Sequence, residues 1–216
     1  GTILTSSDGA SWTRRASGTA SFLWGVASSA SAYVAVGAAG TMVASPDGFS
    51  WTASSSITVQ NILSAIIRGG TQYVAVGAEG TVLTSADGSR WMLQSAGTLS
   101  TLNAVTWSGA QFAAVGQGGA ILTASPDGAT WTLRTSGTTS DLRGIAWSGA
   151  LSGYGAVGQS GAILTSLDGV TWTDRSSSAI TTNDLNALAW SGTQYAAVGA
   201  NGMILTSPDG ATWTPR

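Results

Sequence analysis

The chain has 216 residues, 43% of them hydrophobic and only 8% charged, and its formal net charge is −2. It contains no cysteine, no histidine and no lysine, which removes the usual zinc, copper and haem ligands, thiol nucleophiles and Ser-His-Asp chemistry. The eight basic residues are all arginine and no apolar run approaches twenty residues, so the composition points away from nucleic acid and from a membrane span.

The first predicted element is a hairpin over residues 1–18. Ile3 to Thr5 and Trp12 to Arg14 form its strands around the turn Ser6-Ser7-Asp8-Gly9-Ala10-Ser11-Trp12. That S-x-D-G-x-x-W turn recurs five more times, with aspartates at Asp47, Asp87, Asp127, Asp168 and Asp209, in steps of 39, 40, 40, 41 and 41 residues. A period near forty indicates a propeller or a solenoid.

Residues 19–216 hold five full units, which decide between the two. In the third, Leu102 to Trp107, Phe112 to Val115, Ile121 to Thr123 and Trp131 to Leu133 are short apolar runs bounded by Ser, Gly or Asp. Four short strands per unit, with 30 glycines in the chain and no helical period, predict an all-β propeller of four-stranded antiparallel blades in one domain, 1–216. The inner strands open on Leu-x-Gly or Leu-x-Ala at Leu23, Leu63, Leu102, Leu142 and Leu185, where small residues suit crowding around an axis. An aromatic recurs on the second strand, as Tyr33, Tyr73, Phe112, Tyr154 and Tyr195, and a Trp-Ser-Gly recurs at Trp107, Trp147 and Trp190. Both series read as packing.

Two irregularities carry expectations. The third unit has one extra residue before Asp127, read as a β-bulge near Thr123-Ala124, and the fourth has two extra residues between Trp147 and Tyr154, read as a longer hairpin loop. Six turns but five inner pairs suggest a six-bladed parent whose first inner pair is missing here, with five- and seven-bladed rings as alternatives. The bare edge of hairpin 1–18 then predicts association, in the simplest case homomeric.

The seven-residue turn, as in Ser207-Pro208-Asp209-Gly210-Ala211-Thr212-Trp213, resembles the Asp-box or BNR repeat of sialidases, some glycoside hydrolases, sortilin-type receptors and photosystem assembly factors. The longer pattern of inner strand, A-V-G, I-L-T-S and Asp-box is most similar to the last, non-enzymatic group and its bacterial relatives. From the residues themselves, Asp8, Asp47, Asp87, Asp127, Asp168 and Asp209 are structural turn residues. One carboxylate per turn falls far short of the six to eight oxygens calcium takes, so neither metal nor cofactor is expected.

The resemblance places a functional face opposite the boxes. There lie Glu79, Gln117, Gln159 and Asn201 on the second-to-third strand loops, and Trp24, Asn103, Asp141, Arg143, Asp184 and Asn186 at the starts of the inner strands. Amides, one arginine and one exposed ring suit hydrogen bonding and stacking, so a binding or assembly role toward a protein or glycan is expected. Trp24 either stacks on the ligand or plugs the channel beside Phe22. A lectin is one alternative. A glycoside hydrolase using Asp141 and Asp184 is another, although each aspartate could equally cap the turn into its inner strand. The charge-poor, Ser/Thr/Gly-rich composition and the resemblance suggest a secreted or cell-surface location.

Overall fold

A computed structural model of the chain describes residues 1–54, 59–151 and 153–216. It is all-β. A hairpin of β1 (Thr2–Thr5) and β2 (Thr13–Ala16) is followed by five four-stranded antiparallel sheets. The first blade is β3 (Leu23–Ser28), β4 (Tyr33–Gly37), β5 (Met42–Ser45) and β6 (Thr52–Ala53). The second is β7 (Leu63–Gly69), β8 (Gln72–Gly77), β9 (Val82–Ser85) and β10 (Met92–Gln94). The third is β11 (Leu102–Trp107), β12 (Phe112–Gly116), β13 (Ile121–Ala124) and β14 (Trp131–Arg134). The fourth is β15 (Leu142–Ser148), β16 (Gly153–Gly158), β17 (Ile163–Ser166) and β18 (Thr173–Asp174). The fifth is β19 (Leu185–Trp190), β20 (Tyr195–Gly199), β21 (Ile204–Ser207) and β22 (Thr214–Pro215).

Within each sheet the strands lie in chain order, and each inner strand packs beside the next: β3 on β7, β7 on β11, β11 on β15 and β15 on β19. The core follows from strand alternation. On β8, Val74 and Val76 face the third blade and pack with Leu102, Phe112, Ala114 and Leu122. Tyr73 and Ala75 of the same strand face the first blade and pack with Val34, Val36 and Met42. Two further clusters repeat this between the third and fourth and the fourth and fifth blades. The core is thus a series of interfaces.

The Trp-Ser-Gly tryptophans cover the second-strand aromatics, with ring centroids 4.4 Å apart for Trp107–Phe112, 4.5 Å for Trp147–Tyr154 and 4.8 Å for Trp190–Tyr195. In the second blade Arg68 takes the tryptophan's place, its guanidinium 4.7 Å from the Tyr73 ring centroid. This cation–π contact replaces an aromatic one.

One sequence expectation is corrected. β13 pairs without interruption from Ile121 to Ala124 on both sides, so no bulge forms at Thr123-Ala124. The extra residue is absorbed by the turn instead, where Ser125 N–H reaches Thr130 O at 3.0 Å. In the fourth blade the two added residues lengthen the hairpin, which carries the pair Ser148 with Gly153 beyond Trp147 with Tyr154, as the second blade carries Gly69 with Gln72. Bulges lie elsewhere. Every inner strand shifts register between its leucine and the small residue two places on, at Leu23/Gly25, Leu63/Ala65, Leu102/Ala104, Leu142/Gly144 and Leu185/Ala187.

Candidate functional site

Each blade carries turns at two ends. At one lies the S-x-D-G-x-x-W turn, and its geometry is local. Asp209 Oδ1 accepts from the N–H groups of Thr212 at 2.7 Å and Ala211 at 2.8 Å, and the Ser207 hydroxyl donates to it at 3.1 Å. Gly210 N–H returns to Ser207 Oγ at 2.8 Å, and Trp213 Nε1–H closes the turn on Gly210 O at 3.0 Å. The glycine sits at φ 74, a region that a Cβ disfavours. Backbone N–H donors hold the carboxylates of Asp8 and Asp209 down to about 2, and the same cause lowers Asp47, Asp87 and Asp168. Asp127 is lowered first by the Ser125 hydroxyl and then by the Ala129 N–H. A carboxylate already surrounded by N–H dipoles is a poor cation ligand, because those donors repel the positive charge it would have to share. Among the described residues no three His, Cys, Asp or Glu side chains cluster.

At the opposite end of each blade a 3-10 turn joins the second and third strands: Ala38–Gly40, Ala78–Gly80, Gln117–Gly119, Gln159–Gly161 and Ala200–Gly202. Its middle residue is left-handed, at Ala39 (φ 51), Glu79 (φ 54), Gly118 (φ 63), Ser160 (φ 57) and Asn201 (φ 56). Four of these five bear a side chain in a region that costs about 1–2 kcal/mol. The cost is met in the first four blades because each of their turns is tied on two sides. Gln159 N–H bonds Asp141 O of its own blade at 2.8 Å, for example, and Gly40 N–H bonds Asn61 O of the next blade at 2.8 Å.

The structure gives the inner-strand candidates a common position. Trp24, Asn103, Arg143 and Asn186 are each the unpaired residue of a bulge, a device that re-aims one side chain out of the ladder. Ser64 is the fifth member. In the sequence the Leu-x-Gly/Ala pattern reads as small-residue packing alone. The small third residue was the available signal, since it is where the ladder resumes.

Three of the charged candidates serve the joints between blades. Asp141, at the start of the fourth blade, accepts from Gly118 N–H in the third blade's turn at 2.8 Å. Asp184, at the start of the fifth, accepts from Ser160 N–H in the fourth blade's turn at 2.9 Å. Arg143 pairs with Asp184 at 2.9 Å and donates to Asn186 Oδ1 at 2.7 Å. The Ser160 N–H, then the Arg143 charge, hold the Asp184 carboxyl below the ordinary range. Asn103 Nδ2 donates to Leu142 O at 2.8 Å, again across a joint. The turn each aspartate caps with its side chain therefore belongs to the preceding blade.

The remaining candidates face solvent. Glu79, Gln117, Gln159 and Asn201 are exposed at the turns, with Asn61 Nδ2 at 3.4 Å from Glu79 Oε2 and Asn201 Nδ2 at 3.2 Å from Asn183 Oδ1. Asn61 also donates to Thr81 Oγ1 at 2.9 Å and was missed from sequence. Trp24 is half exposed and Phe22 more so, so Trp24 is no buried plug. It borders a cleft of about 800 Å³ beside the N-terminal hairpin, with Val26, Tyr33 and Trp12.

Repeated four-stranded blades, joined through their inner strands and carrying turns at both ends, define a β-propeller. Solved structures agree. The chain is similar to YCF48 from Cyanidioschyzon merolae (TM-score 0.73, 18% identity, 100% of this chain and 78% of that one). It is also similar to YCF48 bound to D1 peptide (TM-score 0.70, 15% identity, 91% of this chain and 68% of that one). A chain of the nidogen/laminin complex matches at TM-score 0.67 and 10% identity, over 91% of this chain and 80% of that one. At these identities the likeness is one of fold. No protein-family model matches the sequence, and no curated protein matches it.

Proposed function

We propose that this chain is a non-catalytic binding or assembly propeller whose polar, weakly charged face takes a protein partner. The observation that carries the reading is the use of charge on that face. Asp141 and Asp184 each hold a backbone N–H of the neighbouring blade, and Arg143 is engaged by Asp184 and Asn186. What stays open to a ligand is chiefly the neutral amides Gln117, Gln159 and Asn201, with Glu79 beside them. Such a surface suits main-chain and side-chain hydrogen bonding to a peptide. That a similar propeller, YCF48, has been solved bound to D1 peptide supports a peptide-like ligand.

Catalytic readings fit the geometry less well. A glycosidase acid needs a raised carboxyl, whereas Asp184 is lowered. A tyrosine nucleophile needs an accessible hydroxyl that ionises readily. Tyr195 is buried, donates to Gly153 O at 2.8 Å, and is pushed by burial up to about 12.

Selection from a random peptide library, with a glycan array in parallel, tests the proposal. The expected result is a family of enriched peptides whose binding falls at least tenfold in the combined variant Glu79→Ala, Gln117→Ala, Gln159→Ala, Asn201→Ala. Binding on the glycan array that Trp24→Ala abolishes would replace this reading with a lectin. Glycoside hydrolysis lost on Asp184→Asn would replace it with an enzyme.

A further inference from the structure

The joints between complete blades are nearly dry, but the joint between the N-terminal hairpin and the first blade is not. Tyr73, Phe112, Tyr154 and Tyr195 are at most 1% exposed, while their counterpart Tyr33 is 42% exposed. Val26 is 66% exposed where its counterpart Ile66 is 9% exposed. Only Ile3 of the hairpin joins Ala35, Val43 and Trp51 in a small cluster there. At the far end of the array the fifth blade shows the complementary face, with Val198 45% exposed where Val36, Val76, Val115 and Val157 are fully buried.

The hairpin's own turn is formed but uncovered. In the complete blades the turn tryptophan packs on the second-strand aromatic of its own sheet, as in Tyr73–Trp91 at 6.5 Å, Tyr154–Trp172 at 6.1 Å and Tyr195–Trp213 at 6.2 Å. Trp12 has the same turn, with Nε1–H on Gly9 O at 3.1 Å, yet it lies open. Among the described residues β1 pairs with β2 alone. Its counterparts β5, β9, β13, β17 and β21 all pair with a second strand on their other edge.

We propose that the cleft between the hairpin and the first blade is an acceptor site for a two-stranded β-hairpin of the chain's own inner-pair pattern, which adds to β1 and completes a sixth blade. The register is set by the other sheets. Val115 pairs with Ile121, Ala114 with Leu122 and Ala113 with Thr123. The added second strand therefore puts Val opposite Ile3, Ala opposite Leu4, Ala opposite Thr5 and an aromatic opposite Ser6, where its ring meets Trp12. The inner strand beyond it covers Val26 and Tyr33. Main-chain hydrogen bonds give such strand addition its affinity, and the alternate side-chain pockets give it selectivity. A second copy of the chain is the poorer occupant, because its five inner pairs are already engaged in its own blades. Apart from Trp24, which borders the cleft, this site shares no candidate residue with the polar face and does not depend on its proposed role.

The test supplies the pair. Residues 95–118 carry one inner pair and its lead-in, and Gly119 of that unit corresponds to Gly1. The full chain with a copy of residues 95–118 appended after Arg216 is compared with the same chain carrying a scrambled tail. The same segment is also added in trans as a synthetic peptide. With the ordered tail we expect Tm to rise by roughly 10 °C, tryptophan emission to shift to the blue, and acrylamide quenching to lose its fast component. The peptide in trans should reproduce the blue shift saturably, and Leu4→Pro, which removes an N–H within β1, should weaken it at least tenfold. Gln117→Ala with Gln159→Ala should leave it unchanged, which separates this site from the polar face. Equal behaviour of ordered and scrambled tails would overturn the proposal. So would sedimentation as a dimer with Trp12 and Trp24 already shielded, which would assign the cleft to a second copy.

Discussion

The N-terminal hairpin and the complete blades contain the same kind of turn and the same outer strands, yet one is open where the others are closed. Asp8 accepts from Ala10 and Ser11 at 2.9 and 2.8 Å, as Asp168 accepts from Val170 and Thr171, each at 2.8 Å. Trp12 nevertheless is 59% exposed and Trp131 9% exposed. The turn is local chemistry and forms wherever its seven residues stand. Burial is collective and needs the inner pair and the adjoining blade. Stability in such an array is a sum over joints rather than over turns.

Core truncation separates the regions most. Phe112→Ala should cost about 3–5 kcal/mol, the range for deleting a buried aromatic, since Phe112 is fully buried against Trp107 and the second blade. Tyr33→Ala, at the equivalent place beside the hairpin, should cost about 1 kcal/mol. Urea unfolding of both variants measures the difference, and similar losses would mean that the first joint is as well packed as the others.

Glycines of the turns give a smaller contrast. Gly9 and Gly88 share positive φ of 74 and 78, but a Cβ at Gly9 meets nothing within 4 Å, whereas one at Gly88 lies 2.5 Å from Val34 Cγ2. Gly9→Ala should cost about 1 kcal/mol from the backbone alone. Gly88→Ala should cost about 3 kcal/mol, because it also overpacks a joint. Thermal melts of the pair decide it.

Acid should act on both regions through the same turns. Folding depresses the turn aspartates, so they stabilise the protein above the ordinary carboxylate value near 3.8 and lose that contribution as pH falls toward about 2. Tm of the parent should therefore exceed that of Asp209→Asn at pH 5, and the two should converge near pH 2. Asp8→Asn should leave the global Tm nearly unmoved while speeding amide exchange at Ala10 and Ser11. The smallest effect is a gain. Ala39→Gly should add up to about 1 kcal/mol by relieving a left-handed residue at φ 51, visible as a slight rise in urea midpoint.

Much of the fold could be read from composition and spacing. The forty-residue period, four apolar runs per unit and the aromatic of the second strand each correspond to one structural cause, and all five full blades appear where they were expected. The bulges on the inner strands could not be read this way. A bulge adds a residue without changing its type, and Trp24, Ser64, Asn103, Arg143 and Asn186 share no chemistry. The extra residue before Asp127 showed the converse difficulty, because a count cannot tell a strand from the turn that follows it. For the site, sequence placed the ten candidates at the same ends of the blades. It did not show that Asp141 and Asp184 bridge to the preceding blade, since that depends on which turn lies beside which strand in space.

Amide hydrogen exchange along β1 and β13 tests the central claim most directly, that the hairpin is formed but uncovered. Both edges of β13 are paired, between β12 and β14, so its amides should all be protected to the level of global unfolding. In β1 only the N–H groups turned toward β2 should be slow, and the alternate ones should exchange at rates near those of a free chain. Uniform protection along β1, equal to that of β13, would contradict the account.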